Sequence, residues 1–159
     1  MGDDFASAFI EVPSYNGVDV EFTSDPLVDL LLVTGKTFRF KSQATNEYGD
    51  SEFSFEVIVG VGKDCPAPGP VTRDQAFQTE HSILVNWAIP TGNDLPITGY
   101  ALQMDDGLGG PFETVYDGHD NIQIREFEVA GLVAERFYRF RAYAIDVNGP
   151  GEFSEVTSI

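Results

Sequence analysis

The stretch Gly131–Ser154, reading GLVAERFYRFRAYAIDVNGPGEFS, constrains this chain more than any other. Side chains of an extended strand point alternately to its two faces. Tyr138, Phe140, Ala142 and Ala144 therefore share one face, and Arg139, Arg141 and Tyr143 the other. This is the pattern of a half-buried strand, apolar toward a core and polar toward solvent. Asp146, Asn148-Gly149 and Gly151 then supply turn residues before Glu152-Phe153-Ser154 open a further strand. The pattern recurs 100 residues earlier without a gap: Leu32, Val33, Arg39, Phe40, Ala44, Gly49, Glu52, Phe53 and Ser54 stand where Leu132, Val133, Arg139, Phe140, Ala144, Gly149, Glu152, Phe153 and Ser154 stand later. Self-similarity at a fixed offset is the mark of one structural unit used twice. Residues 1–62 are thus expected to end in the same two strands as the second half.

The rest of the chain reads as short strands separated by turns. Residues 66–159 offer seven: Thr72–Phe77, Ser82–Ala88, Ile97–Met104, Phe112–Tyr116, Asn121–Val129, Phe137–Ile145 and Glu152–Ser158, with Asp106-Gly107 and Asp117-Gly118 as turns around the fourth. Residues 1–62 offer Ala6–Val12, Val18–Thr23, Lys36–Thr45 and Phe53–Gly60, with a turn at Tyr15-Asn16-Gly17. No helical period of useful length competes. Thirteen Phe, six Tyr and one Trp against two Met suit sheets better than helix bundles. Seven short strands with turns every 8–12 residues predict an all-β sandwich of roughly 100 residues. Between the halves, Gly60 to Pro70 reads as a proline-stiffened linker. The predicted organisation is a partial or divergent unit over 1–63, a linker over 64–70 and a complete sandwich over 71–159, with the boundary at about residue 64.

Twenty-six acidic and nine basic residues give a formal charge of −17. Such a field repels phosphate backbones and anionic lipid, which excludes nucleic acid and membrane surfaces as partners. Its plain role is solubility; the sharper one is collection of divalent cations. The most apolar run, Leu27–Val33, contains Asp29 and falls far short of a membrane span. The acidic start lacks the features of a signal peptide, so the chain is expected to be a segment of something larger or one whose leader has been removed. Cys65 is the single cysteine. It is expected to be an inert thiol, with a bridge to a neighbouring chain as the other use.

The residues of the second half resemble a fibronectin type III domain over their whole length. The resemblance rests on Pro66, Pro68 and Pro70 at the entry, Ile83-Leu84-Val85-Asn86-Trp87, Pro90, Pro96-Ile97-Thr98-Gly99-Tyr100, Gly131-Leu132, Tyr138, Ala144 and Gly149. It implies an immunoglobulin-like β-sandwich, two units in tandem, with Trp87 and Tyr100 in the core. It also implies a tyrosine corner in which the Tyr138 hydroxyl bonds back toward the turn near Leu132. The phrase from Tyr100 to Phe112 resembles repeats of very large surface proteins of single-celled eukaryotes. In the first unit Phe38 stands where Tyr138 does, and Asp29 where Val129 does. The corner hydrogen bond is expected to be lost there, and 62 residues leave no room for the first two strands and the tryptophan.

Catalytic constellations are missing from the pattern. His81 and His119 lie in no motif with Ser and Asp, and Gly107-Leu-Gly-Gly110 precedes no helix that could cradle a phosphate. No cofactor and no enzymatic activity are expected. Asp105, Asp106, Asp117 and Asp120 are candidate calcium ligands, since loops rich in Asp and carbonyls supply the oxygens that ion takes. Asp-Gly is also the ordinary hairpin signal, and the turn is the first reading. Arg-Gly-Asp, the family's cell-binding tripeptide, does not occur. Arg39/Lys41 and Arg139/Arg141 place cations on the outer face of one strand in both units, to pair with acidic neighbours such as Glu152 or to form a shared binding face.

The expected function is a non-catalytic structural or adhesive spacer of an extracellular or cell-surface repeat protein. Its partners would be other proteins or further copies of itself, joined into a fibre when a neighbour completes the short first unit. The competing class is a ligand- or carbohydrate-binding module, for which Tyr143 and Phe137 would form an exposed aromatic row.

Overall fold

The computed structural model describes residues 33–159 together with Phe9, Glu11, Gly17 and Val18. Apart from those four residues, the strands expected over Ala6–Val12 and Val18–Thr23 lie outside the described residues, as does Asp29. The chain divides into two units, Met1–Gly62 and Lys63–Ile159. All regular structure among the described residues is β.

In the first unit, β1 (Lys36–Phe40) pairs antiparallel with β4 (Val57–Val61), and β2 (Thr45–Asn46) with β3 (Gly49–Asp50). The second unit begins with β5 (Thr72–Gln78), β6 (Ser82–Asn86), β7 (Gly99–Met104) and β8 (Glu113–Gly118). It ends with β9 (Glu126–Ala130), β10 (Arg139–Asp146), β11 (Gly149–Phe153) and β12 (Thr157–Ser158). One sheet runs β5-β6-β9; the other runs β11-β10-β7-β8, with β12 also on β10. All pairings are antiparallel.

The alternation of the sequence decides what lies between the sheets. Val85 and Trp87 point inward from β6 and its continuation, Tyr100 and Leu102 from β7, Tyr138 and Phe140 from β10 and the residue preceding it. Tyr138 closes the corner: its hydroxyl oxygen accepts the Val133 N–H at 2.9 Å. Leu132, also buried, donates its N–H to the His81 carbonyl at 3.0 Å, which ties this turn to the start of β6. Tyr138→Phe would leave the Val133 N–H without its acceptor. The second unit should lose about 1–2 kcal/mol, read as a fall of several degrees in the melting temperature of the full chain.

Three expectations shift in detail. The strand expected over Glu152–Ser158 is split into β11 and β12, because buried Ser154 interrupts the ladder. Its hydroxyl accepts the Ala142 N–H at 3.0 Å and donates to the Glu155 carbonyl at 3.1 Å, while its own N–H reaches the Ala142 carbonyl at 2.7 Å. Asp117-Gly118, expected as a turn, ends β8, and the chain turns at His119-Asp120, where Asp120 takes a φ of 61°. Gly118 is needed in the strand because a Cβ there would collide with the Tyr116 ring and hydroxyl, and a Cβ on Gly99, in the neighbouring strand, would collide with the Gly118 carbonyl oxygen. The run 64–70, proline-rich like a linker, is held to the second unit. The Cys65 carbonyl accepts the Glu152 N–H at 3.0 Å and the Gly69 N–H reaches the Ala88 carbonyl at 3.2 Å.

The two units share more than residue identities. Phe38↔Val59, Arg39↔Ile58 and Phe40↔Val57 pair in the first, and Arg139↔Ser158 and Phe140↔Thr157 in the second, where Tyr138 and Ile159 exchange backbone hydrogen bonds. Asn46↔Gly49 has its counterpart in Asp146↔Gly149. Ser54 repeats the Ser154 arrangement: its hydroxyl accepts the Ser42 N–H at 2.9 Å and donates to the Phe55 carbonyl at 3.0 Å. Every one of these correspondences keeps the offset of 100. What differs is burial. Phe140 is fully buried, whereas Phe38 and Phe40 are half-buried and Val57 and Val59 are exposed.

Candidate interaction face

The outward side chains of β10 build the most elaborate surface of the second unit. Arg139 turns toward the loop between β7 and β8. Its Nε donates to Asp105 Oδ2 at 2.7 Å, its backbone N–H to Asp105 Oδ1 at 2.8 Å and its Nη2 to the Gly110 carbonyl at 2.8 Å. Asp105 is only 3% exposed and accepts the Gly107 N–H as well, at 3.1 Å. Burial pushes its carboxyl up, but the hydrogen bonds from Arg139 and Gly107 outweigh burial and hold it below the usual carboxylate range. Arg139 is thus paired with Asp105 rather than with Glu152.

Two residues along, on the same face, Arg141 lies between two rings. Its guanidinium is 4.3 Å from the Phe112 centroid and 3.7 Å from that of Phe153, and its Nε donates to Gln103 Oε1 at 2.8 Å. Tyr143 meets Phe153 edge-on at 5.2 Å. The stack joins β7, β10 and β11 to the loop that leads into β8, and a cation held against two aromatic faces contributes about 1–2 kcal/mol. In the first unit Lys41 lies 3.9 Å from the Phe53 ring and 4.2 Å from that of Phe9, and Arg39 pairs with Glu56 at 3.1 Å. The cation-on-phenylalanine pair 41/53 repeats as 141/153. Phe112 and Gln103 were not legible as members of this face, whereas Phe153 carried a signal in its match to Phe53.

The four candidate calcium ligands are not brought together. Asp106 caps its own turn, accepting the Leu108 and Gly110 N–H groups at 2.9 and 3.0 Å, which lowers its pKa. Asp117 Oδ1 accepts the His119 N–H at 3.2 Å, and Asp120 stands 3.8 Å from the His119 ring. Met104↔Glu113 and Tyr100↔Gly118 mark the two ends of the β7–β8 hairpin. Asp105/Asp106 and Asp117/Asp120 therefore sit about four residues' rise apart, roughly 13 Å. Among the described residues no three His, Cys, Asp or Glu side chains gather as a metal site. His81 meets the Leu132 carbonyl through Nδ1 at 3.1 Å. Cys65 is buried, and burial, with Asp146 adding to it, pushes its thiol up to about 11, which makes it a poor nucleophile. Phe38 lies within β1 opposite Val59 and brings no hydroxyl to a corner.

Two antiparallel sheets facing each other over an aromatic core, with the tyrosine-closed corner, define an immunoglobulin-like β-sandwich. The chain belongs to the fibronectin type III domain family, whose pattern residues 66–159 match. It is 30% identical over 148 residues to fibronectin type-III domain-containing protein 3A of Homo sapiens, an alignment that covers 91% of this chain and 11% of that protein. It is 29% identical over 115 residues to the netrin receptor DCC of Homo sapiens, covering 72% of this chain and 8% of the receptor. The solved sixth fibronectin type III domain of human fibronectin type III domain containing protein 3 superposes with a TM-score of 0.52 at 27% identity, over 61% of this chain and 85% of that domain. The chain spans about a tenth of the length of the curated relatives it matches. All three are human proteins, and they lend no support to a likeness with surface proteins of single-celled eukaryotes.

Proposed function

We propose that this chain is part of a tandem fibronectin type III array that acts as a non-catalytic structural or adhesive spacer at the cell surface or outside the cell. The observation that carries the reading is the recurrence, at an offset of 100, of one hairpin with the same register, the same serine interruption and the same cation-on-phenylalanine pair. The alignment with fibronectin type-III domain-containing protein 3A, which extends over 91% of the chain and so into the first unit, supports it. The netrin receptor DCC, a receptor by name, supports a place at the cell surface. A ligand- or carbohydrate-binding module would present flat rings open to solvent. Here Phe137 stands open to solvent, but Tyr143, its partner in the expected row, lies against Phe153, and Phe112 and Phe153 lie against Arg141. One open ring replaces a row, which favours the spacer.

The first unit gives the spacer a way to assemble. Phe38, Phe40, Val57 and Val59 form one face of β1 and β4, and the matching Tyr138 and Phe140 are buried in the second unit. A strand from a neighbouring copy, laid over that face, would bury it as β6 buries its counterpart, and repetition would give a fibre. Sedimentation and electron microscopy at rising concentration of the full chain should show growing assemblies. A monodisperse monomer whose Phe38–Phe40 amides resist hydrogen exchange would sink the fibre.

A further inference from the structure

Tyr48 is 91% exposed, in the turn between β2 and β3. Its ring buries nothing, and the hairpin does not require it. The second unit makes the same turn with Asn148 in the equivalent place: the Asn148 N–H donates to Asp146 Oδ1 at 2.7 Å as the Tyr48 N–H donates to Asn46 Oδ1 at 2.8 Å. The tip is nevertheless well presented, since Thr45 Oγ1 donates to Asp50 Oδ1 at 2.6 Å across the base of the turn. Every residue from Ser42 to Val59 is exposed, so both arms of the hairpin are open to a cleft closing on them. Glu47, Asp50 and Glu52 place three carboxylates within four residues of the ring, and neither Lys nor Arg occurs between Ser42 and Glu56.

We infer that Tyr48 is an acceptor for sulfuryl transfer. The donor is a nucleotide-activated sulfate, a mixed phosphoric–sulfuric anhydride. The phenolic oxygen attacks sulfur and forms the new O–S bond, and the anhydride S–O bond breaks with its electron pair leaving on the nucleotide phosphate. The phenolic proton passes to a base of the transferase. An enzyme that holds so anionic a donor has a basic cleft, and carboxylates on both sides of the acceptor steer the hairpin into it. The other tyrosines of the described residues lack this combination. Tyr100 and Tyr138 are buried, the Tyr116 hydroxyl is buried, and Tyr143 lies along β10 against Phe153. The product is a fixed anion at the end of an acidic finger, a feature that a basic surface on a partner protein can read.

Occupancy of the site in a cell rests on the extracellular reading above, because the donor meets its protein acceptors in the secretory lumen. The transfer itself does not. The full chain, incubated with a purified tyrosylprotein sulfotransferase and radiolabelled sulfate donor, should take up one sulfate, which peptide mass mapping places on Tyr48. Tyr48→Phe should take up none, and Glu47→Gln should slow the wild-type rate by about tenfold through loss of one charge in the cleft. Unchanged tryptophan fluorescence of both variants would show that the second unit is intact. No label on the wild-type chain, label on another tyrosine, or undiminished label in Tyr48→Phe overturns the assignment. An undiminished rate in Glu47→Gln overturns the electrostatic argument for it. A chain that fails to assemble into fibres leaves each of these results unaffected.

Discussion

Trp87→Ala should lower the stability of the second unit by about 3–5 kcal/mol, the range for deleting a large buried aromatic. Trp87 is 4% exposed, with its ring centroid 6.1 Å from that of Tyr100 and 6.0 Å from that of Tyr116. Tyr116 in turn packs on Phe127 at 5.0 Å. The indole therefore sits in a chain of rings that joins β7 and β8 to β9, and a cavity there cannot collapse without moving both sheets. Against the 5–15 kcal/mol that hold a typical domain together, a loss of this size removes much of the margin. For a unit of this size it corresponds to a fall of roughly 15–30 °C in melting temperature. Circular dichroism is the right measurement, because Trp87 is the chain's one tryptophan and its fluorescence disappears with it. The control is Trp87→Phe. The indole N–H has no hydrogen-bond partner among the described residues, so phenylalanine gives up ring area and no hydrogen bond. Its cost should stay below about 1.5 kcal/mol. A Phe variant as unstable as the Ala variant would mean that the indole N–H is bonded after all.

The contrast between Trp87 and Arg139 shows where the sequence was readable. Ile83, Val85 and Trp87 alternate with Leu84 and Asn86, so the strand, its inner face and its core tryptophan follow from local spacing alone. Tyr138 was legible for the same reason, with the family pattern supplying its partner. The repeat went further: identities at 32–54 and 132–154 foretold hairpins whose register agrees pair by pair. Partner choice across the sheet was not legible. Arg139 faces outward by alternation, yet its partner depends on how residues 105–112 fold back over the strand, which no spacing encodes. Glu152 was nearer in sequence, but its N–H is drawn to the Cys65 carbonyl. Phe112 belongs to the Arg141 stack only because the same loop ends beneath it. Asp117-Gly118 failed as a turn for a related reason. Gly118 leaves room for the Tyr116 ring, and a glycine used that way looks in sequence like a glycine used for a turn.

Asp105 should make the second unit acid-labile, and removing its partner should be costly at any pH where it is charged. Its carboxyl titrates below the usual carboxylate range in the folded chain, because three hydrogen bonds with Arg139 and Gly107 outweigh the effect of burial. A carboxylate with a depressed folded pKa contributes stability that is present above its unfolded pKa, about 3.9, and is lost as pH falls through the folded pKa. The melting temperature of the full chain should therefore hold between pH 7 and about 5 as far as this group is concerned, and drop below about 4. Asp105→Asn keeps an acceptor for the Arg139 and Gly107 N–H groups and gives up the charge. It should cost about 1.5–3 kcal/mol at neutral pH, the value of hydrogen bonds to a charged group, and the gap to wild type should narrow as the wild-type carboxyl becomes protonated. Arg139→Met is the converse. It leaves the carboxylate buried with two backbone donors and removes the hold on Gly110. Breaking a fully buried pair costs about 3–5 kcal/mol. The Arg139 side chain is 38% exposed, so water can reach its place, and about 2–3 kcal/mol is the expected loss. If the Arg139→Met and Asp105→Asn costs simply add in the double variant, the two residues act independently; a double variant little worse than Arg139→Met alone establishes the coupling that the geometry requires.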